Sequence, residues 1–190
     1  MSCLNDSVSL VSLISDDGKA MIETVDFRGN VLSNVVLFPD SDASMQKTFL
    51  SNRVLPDYSG TRAAVAMTFL PQLNIIDLIS GKRQSVLYGN TDLGLLADRF
   101  KETGQYPDDT FASRLFTTDE FIYIVRTHYA ETDDDSDYTE LLIFDWSGSF
   151  KYRMKIENIF TGTALDAGNN ILYGGEGMST VHVYDFSSRL

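Results

Sequence analysis

The chain has 190 residues, of which 43% are hydrophobic, 12% aromatic and 22% charged. This length suits one domain, residues 1–190, and the aromatic content excludes an intrinsically disordered protein. With 27 acidic and 15 basic residues, the net charge is −12, which repels phosphate groups and so argues against binding to nucleic acids or anionic membranes.

Four copies of a short pattern follow one another along the chain. Each copy has two or three apolar residues, an aspartate, another apolar residue and a turn of small residues. The aspartates are Asp26, Asp77, Asp145 and Asp185, which are 51, 68 and 40 residues apart. Propeller blades repeat about every 40–50 residues, so the middle step contains an insertion, which we place at residues 91–110.

The first two copies predict strands joined by tight turns. Apolar residues alternate with serines over residues 7–15, as in an extended strand. A polar loop over residues 40–46 then separates the first unit from the second. In the second unit, residues 62–70 predict a strand, and residues 73–88 predict a hairpin around Ser80-Gly81.

The third copy is the fullest, and the fourth is shorter. Strands are predicted over residues 114–117, 121–129, 140–144 and 150–156, which is the content of one blade. The fourth copy supplies only three strands, which leaves its outer edge unpaired. Either residues 7–15 close the ring by pairing with that edge, or a second copy covers it in a homodimer; we favour the homodimer.

Several segments resemble known families. Residues 54–66 with 76–82 are similar to propeller blades of TolB-like and NHL-like type. Residues 121–125 with 142–153, together with 171–173 and 183–186, more closely resemble the TolB-like six-bladed β-propellers common in Bacteroides-type bacteria. The resemblance covers residues 50–190 and implies an all-β fold of about four antiparallel four-stranded blades, as part of a six-bladed ring. It also implies an exported protein of the cell envelope or periplasm, with no established catalytic residues.

The chain departs from this family in length and at its start. It is about two blades shorter than a six-bladed ring. Residues 1–7 contain neither the basic nor the apolar region of an export signal. We therefore expect the chain to correspond to the C-terminal part of such a propeller. No transmembrane segment is expected, because no stretch approaches about 20 apolar residues.

The acidic and histidine residues are the candidate metal ligands of this sequence. The four repeated aspartates are expected to accept hydrogen bonds within their own turns rather than form a ring of metal ligands. The acidic run at residues 133–137 has Tyr138 and Phe144 where a calcium loop needs glycine and glutamate. His128 and His182 are the only histidines, and they lack zinc-site spacing.

Four further features have structural explanations. Gly174 to Gly177 lacks the lysine of a phosphate loop and predicts a bulged hairpin. Lys151, Arg153 and Lys155 alternate along the exposed face of one strand. Trp146 follows a turn aspartate, and we predict that it is buried between two units. Cys3, the one cysteine, is expected to be inert.

These observations predict a binding or scaffold protein with no catalytic, cofactor-binding or metal-binding residues. Propellers bind ligands or partner proteins on loops at the ends of their central channel. Its ligand is therefore expected to be a protein or a small molecule, which the sequence does not specify. A hydrolase or lyase on the same scaffold is the alternative, since fold does not determine function.

Overall fold

A computed structural model describes residues 2–5, 7–15, 19–37, 51–89, 95, 98–99, 102–105, 110–129, 136–177 and 179–189. Fifteen strands in this part of the chain form four antiparallel sheets, each built from consecutive strands. The predicted all-β class and the repeated sheet units are thus confirmed. The segments at residues 40–46 and 133–135, and most of the insertion at residues 91–110, lie outside the described residues.

The sheets are numbered in chain order. Sheet 1 contains β1 (Ser2–Asn5), β2 (Val8–Ile14), β3 (Ala20–Asp26) and β4 (Val31–Val36). Sheet 2 contains β5 (Asn52–Pro56), β6 (Arg62–Met67), β7 (Gln72–Asp77) and β8 (Arg83–Leu87). Sheet 3 contains β9 (Thr110–Thr117), β10 (Phe121–His128), β11 (Tyr138–Asp145) and β12 (Phe150–Ile156). Sheet 4 contains only β13 (Gly162–Asp166), β14 (Ile171–Glu176) and β15 (Thr180–Asp185).

The third strand of every sheet ends at the repeated aspartate. In the first three sheets the following turn contains a glycine with positive φ, namely Gly29 at 85°, Gly81 at 69° and Gly148 at 80°. Glycine adopts this conformation without steric cost, so the chain can reverse directly into the fourth strand. Sheet 4 has no such glycine, and its third strand is followed by a short 3-10 turn at Ser187–Arg189.

The sheets pack face to face in chain order. Three apolar clusters join sheet 1 to sheet 2, sheet 2 to sheet 3, and sheet 3 to sheet 4. We call the side of a sheet that faces the next sheet its forward face, and the opposite side its backward face. Residues two and four before the turn aspartate lie on the forward face, as Ile143 and Leu141 do in sheet 3. The residues just before and just after the aspartate, Phe144 and Trp146 in that sheet, lie on the backward face.

Trp146 is buried between two units, as predicted. Its side chain is 8% exposed and belongs to the cluster that joins sheets 2 and 3. The indole Nε1 donates a hydrogen bond of 2.9 Å to the carbonyl of Thr118. The guanidinium of Arg62, from sheet 2, lies over the ring at 4.6 Å from its centroid.

One prediction about closure is wrong. The N-terminal stretch does not pair with the final sheet, because β2 pairs with β1 on one side and with β3 on the other. Both hydrogen-bonding edges of this strand are therefore occupied within sheet 1. A strand at position two of a sheet has the same alternating pattern as an edge strand, which explains why the sequence did not distinguish them.

Candidate functional site

The first strands of the sheets lie close together. Strand β5 of sheet 2 is in contact with β1 and β2 of sheet 1 and with β9 of sheet 3. The Thr117 hydroxyl also donates a 2.6 Å hydrogen bond to the carbonyl of Pro56, which joins the ends of β9 and β5. Because the first strands converge, the turns that leave them border a common space.

That space is a groove of about 780 Å³, which we call the first-strand groove. All four sheets contribute to its lining: Cys3, Leu4, Leu55, Pro56, Asp57, Tyr58, Phe116, Thr117, Leu165, Asp166, Ala167 and Gly168. A recess of about 660 Å³ adjoins the groove and shares Tyr58, Ala167 and Gly168 with it. The recess is otherwise lined by Thr118, Asp119, Glu120, Phe121, Tyr123 and Asn170.

Tyr58 lies where the groove and the recess meet, and its side chain is 76% exposed. It is held there by the turn between β5 and β6, which is organised around the buried Asp57. The Asp57 carboxylate accepts hydrogen bonds from the Ser59 hydroxyl at 2.9 Å, the Thr61 amide at 3.0 Å and the Arg62 Nε at 2.8 Å. Burial raises the pKa of Asp57, but these hydrogen bonds outweigh burial and leave it below its usual value.

Arg62 is fully engaged at the back of this turn. Besides Asp57 and the Trp146 ring, its guanidinium contacts the carbonyl of Asp119 through Nη2 at 3.1 Å. The amide of Ser59 donates to the Asp119 carboxylate at 3.2 Å. These contacts join the turn of sheet 2 to the turn of sheet 3, and the charge of Arg62 is paired with that of Asp57.

The described part of the recess carries net negative charge. Asp119 and Glu120 are exposed and line the recess. Asp166 lines the neighbouring groove, and a hydrogen bond from the Asn169 side chain lowers its pKa, so it stays ionised. Beneath them, burial raises the pKa of Tyr123, which keeps its hydroxyl protonated. An exposed aromatic ring such as that of Tyr58, beside several carboxylates, is an arrangement that attracts cations.

The four repeated aspartates are not part of this groove, and each is engaged by its own turn, as predicted. The carboxylate oxygen Oδ1 of Asp145 accepts from the amides of Ser147 at 2.9 Å and Ser149 at 3.0 Å. The side chains of the other three aspartates accept similar hydrogen bonds from backbone amides two to four residues later in the sequence: Asp26, Asp77 and Asp185. Among the described residues, no three acidic, histidine or cysteine side chains come together as a metal site.

The two histidines lie apart. The His128 ring contacts the Tyr138 ring at a centroid distance of 4.5 Å, with the two planes tilted by 31°. His182 lies 2.7 Å from the Glu176 carboxylate and near the Phe160 ring. Neither residue lines the groove or the recess.

The glycine-rich segment forms a hairpin, as predicted, but not a bulged one. The pairing of β14 with β15 runs without a register shift from Ile171 opposite Asp185 to Glu176 opposite Thr180. Gly174 is required by packing, since a Cβ at this position would lie 2.4 Å from the Phe160 ring. The missing side chain thus makes room for an aromatic ring, which a sequence pattern alone does not reveal.

The basic trio on β12 lies on an exposed face, as predicted, and each member has a neighbour. Lys151 pairs with Asp145 at 2.7 Å, Arg153 pairs with Glu140, and Lys155 lies 4.0 Å from the centre of the Tyr138 ring. The three positively charged side chains therefore contact acidic or aromatic residues of sheet 3 itself.

Sequence reasoning did not single out the turns that build the groove as a site. It singled out the aspartates at the ends of third strands, but Asp57 directly follows the first strand of its sheet and Asp166 ends the first strand of its own. The signal was present in Asp57-Tyr-Ser-Gly60 and Asp166-Ala-Gly168, which have the same aspartate and small-residue turn composition.

Comparison with known proteins adds no family assignment. No protein-family model matches this chain, and no curated protein matches it. Within the described ranges, the structure contains no helix that is both long and apolar enough to span a membrane.

Proposed function

We propose that this chain is a binding module that forms an arc of a β-propeller and accepts a positively charged group at the first-strand groove. The observation that carries the proposal is Tyr58, a tyrosine that is 76% exposed at the junction of two recesses. A ligand ammonium or guanidinium group over this ring would gain a cation–π interaction.

The surrounding charges support a cationic ligand. Asp119 and Glu120 line the recess beside Tyr58, and the nearby Arg62 is held by Asp57. The net charge of −12 also favours the approach of cations and disfavours anions. An alkylammonium or guanidinium group, on a small molecule or on a lysine or arginine side chain, fits this chemistry.

The blade-like sheets support the propeller part of the proposal. The sheets pack in chain order, and their first strands converge on one space. In propellers, binding surfaces form at the ends of the central channel, which first strands surround. In a propeller, a groove lined by the first strands would lie at the end of such a channel.

Calorimetric titration with spermidine and N-acetylarginine amide tests the cation, and N-acetylcitrulline amide, whose α-amine is blocked, serves as the uncharged control. We expect heat from both cations, weakening with added salt, and none from N-acetylcitrulline amide. Tyr58→Ala should weaken binding about tenfold, equivalent to about 1.4 kcal/mol. Glu120→Gln should weaken it less, because Glu120 is exposed.

The matched control is Glu157→Gln, which removes one exposed carboxylate outside the groove and the recess. If Glu157→Gln weakened binding as much as Glu120→Gln, the effect would come from overall charge. Equal binding of N-acetylcitrulline amide, or unchanged binding in Tyr58→Ala, would contradict the proposal.

A further inference from the structure

The forward face of sheet 4 is apolar and uncovered. In sheet 2 the residues two and four before the turn aspartate, Ile75 and Leu73, are buried against sheet 3. The equivalent residues of sheet 4 are Val183 and Val181, which are 60% and 67% exposed. The sequence thus keeps β-branched apolar residues at positions that are buried in the earlier sheets.

The backward face of sheet 1 is uncovered in the corresponding way. The residue just after the turn aspartate packs on the preceding sheet in three cases: Leu78, Trp146 and Phe186. The equivalent residue of sheet 1 is Phe27, which is 75% exposed. An aromatic residue therefore stands at a position whose function elsewhere is to pack on a preceding sheet.

The two uncovered faces match one another through an existing contact. At the junction of sheets 3 and 4, the Phe186 ring lies 6.4 Å from the Tyr123 ring. Tyr123 is paired in register with Ile143, two residues before its turn aspartate. In sheet 4 the residue in the same register, opposite Val183, is again a tyrosine, Tyr173. Phe27 and Tyr173 are thus the counterparts of Phe186 and Tyr123.

We propose that the forward face of sheet 4 in one copy packs on the backward face of sheet 1 in a second copy, with Phe27 on Tyr173 and Val183. The same contact, made twice, closes a dimer. The described residues of two copies supply eight sheets, four from each, within the range of about four to eight blades in closed propellers. This assembly differs from the six-bladed ring that the family resemblance implies, and it does not depend on the cationic groove.

A closed dimer explains why both faces are apolar. Two uncovered faces of one chain that complement each other would otherwise join copies into open filaments. The internal junctions show that a forward face and a backward face of this sequence pack together, as they do three times within the chain. The second copy continues that packing and leaves neither face exposed.

Sedimentation velocity of the purified chain tests the assembly. We expect twice the mass of one chain. Val183→Lys and Phe27→Lys should each weaken the dimer at least about tenfold, because each buries an unpaired charge. Both substitutions are at exposed positions, so the monomer should stay folded, and circular dichroism checks this. The matched control, Ile79→Lys, changes an isoleucine that is 82% exposed in a turn and should leave the dimer intact.

Mixing the two interface variants separates this arrangement from a dimer in which sheet 4 packs on sheet 4, or sheet 1 on sheet 1. A Val183→Lys chain keeps an intact sheet 1, and a Phe27→Lys chain keeps an intact sheet 4. We therefore expect one good interface, and dimers, in an equimolar mixture but not in either variant alone. A folded monomer of the unchanged chain, an open polymer, or a mixture without dimers would overturn the proposal.

Discussion

Trp146, in the middle of the stack of sheets, and Phe27, at its first sheet, occupy the same position in the repeat. Each directly follows a turn aspartate and points to the backward face of its sheet. Trp146 meets Arg62 and other residues of sheet 2, whereas Phe27 is 75% exposed and no sheet of the described residues precedes its own. The repeat therefore determines the direction of a side chain, and the neighbouring sheet determines its burial.

The largest expected effect tests this difference directly. Trp146→Ala should destabilise the fold by about 3–5 kcal/mol, since it removes a buried aromatic ring. Phe27→Ala should change the free energy of unfolding by less than about 0.5 kcal/mol, as exposed substitutions do. Urea unfolding of both variants in a Val183→Lys background excludes any contribution from association. Equal losses for the two variants would refute the comparison.

The two faces of sheet 4 allow a second, smaller test. Gly174→Ala should destabilise by about 1–3 kcal/mol, because its Cβ would overlap the Phe160 ring. Gly175→Ala, on the opposite face, places its Cβ at an ordinary 3.6 Å from the Gly162 carbonyl and should change stability by less than about 0.5 kcal/mol. Thermal or urea unfolding measures both, and a milder effect at Gly174 than at Gly175 would contradict the packing described.

The smallest effect compares two turns. Asp145→Asn should cost about 1 kcal/mol at neutral pH, since it weakens hydrogen bonds to a charged acceptor. Asp185→Asn should cost less, because the Asp185 carboxylate is contacted by Ser187, whereas Asp145 is contacted by Ser147, Ser149 and Lys151.

The pH dependence of this loss has a definite sign. The hydrogen bonds from Lys151 and Ser147 hold the pKa of Asp145 well below its ordinary value of 3.8. Its stabilising contribution is complete above the pKa of the unfolded chain and decreases as the pH falls towards the lower pKa of the folded state. The difference between the unchanged chain and Asp145→Asn should therefore shrink below about pH 4, and a difference that grew there would contradict the assignment.

The strands and their turns could be predicted from the sequence because their determinants are local. Alternating residues on β12, the small residues after Asp77 and Asp145, and the direction of the Trp146 side chain all follow from neighbours within a few positions. Sheet 3 was predicted strand by strand for the same reason.

The groove and the place of β2 could not be predicted in the same way. Tyr58 lies in the groove because turns from different sheets meet, and residues such as Tyr58 and Gly168 are distant in sequence. Strand β2 has an alternating pattern that fits either sheet, and its partner was decided by the short strand β1, whose four residues carry little periodic signal. Long-range packing decides both features, and one sequence contains little direct information about it.

The packing of sheets in chain order also determines how the protein opens. In the described chain, sheets 1 and 4 each have one apolar junction, whereas sheets 2 and 3 each have two. In such linear arrays stability is approximately a sum over units and their junctions. An end sheet then unfolds by losing a single junction, and its amide hydrogens exchange with solvent sooner than those of β7 or β11. A second copy on both ends would remove this difference, so exchange from the end sheets would slow as the protein concentration rises.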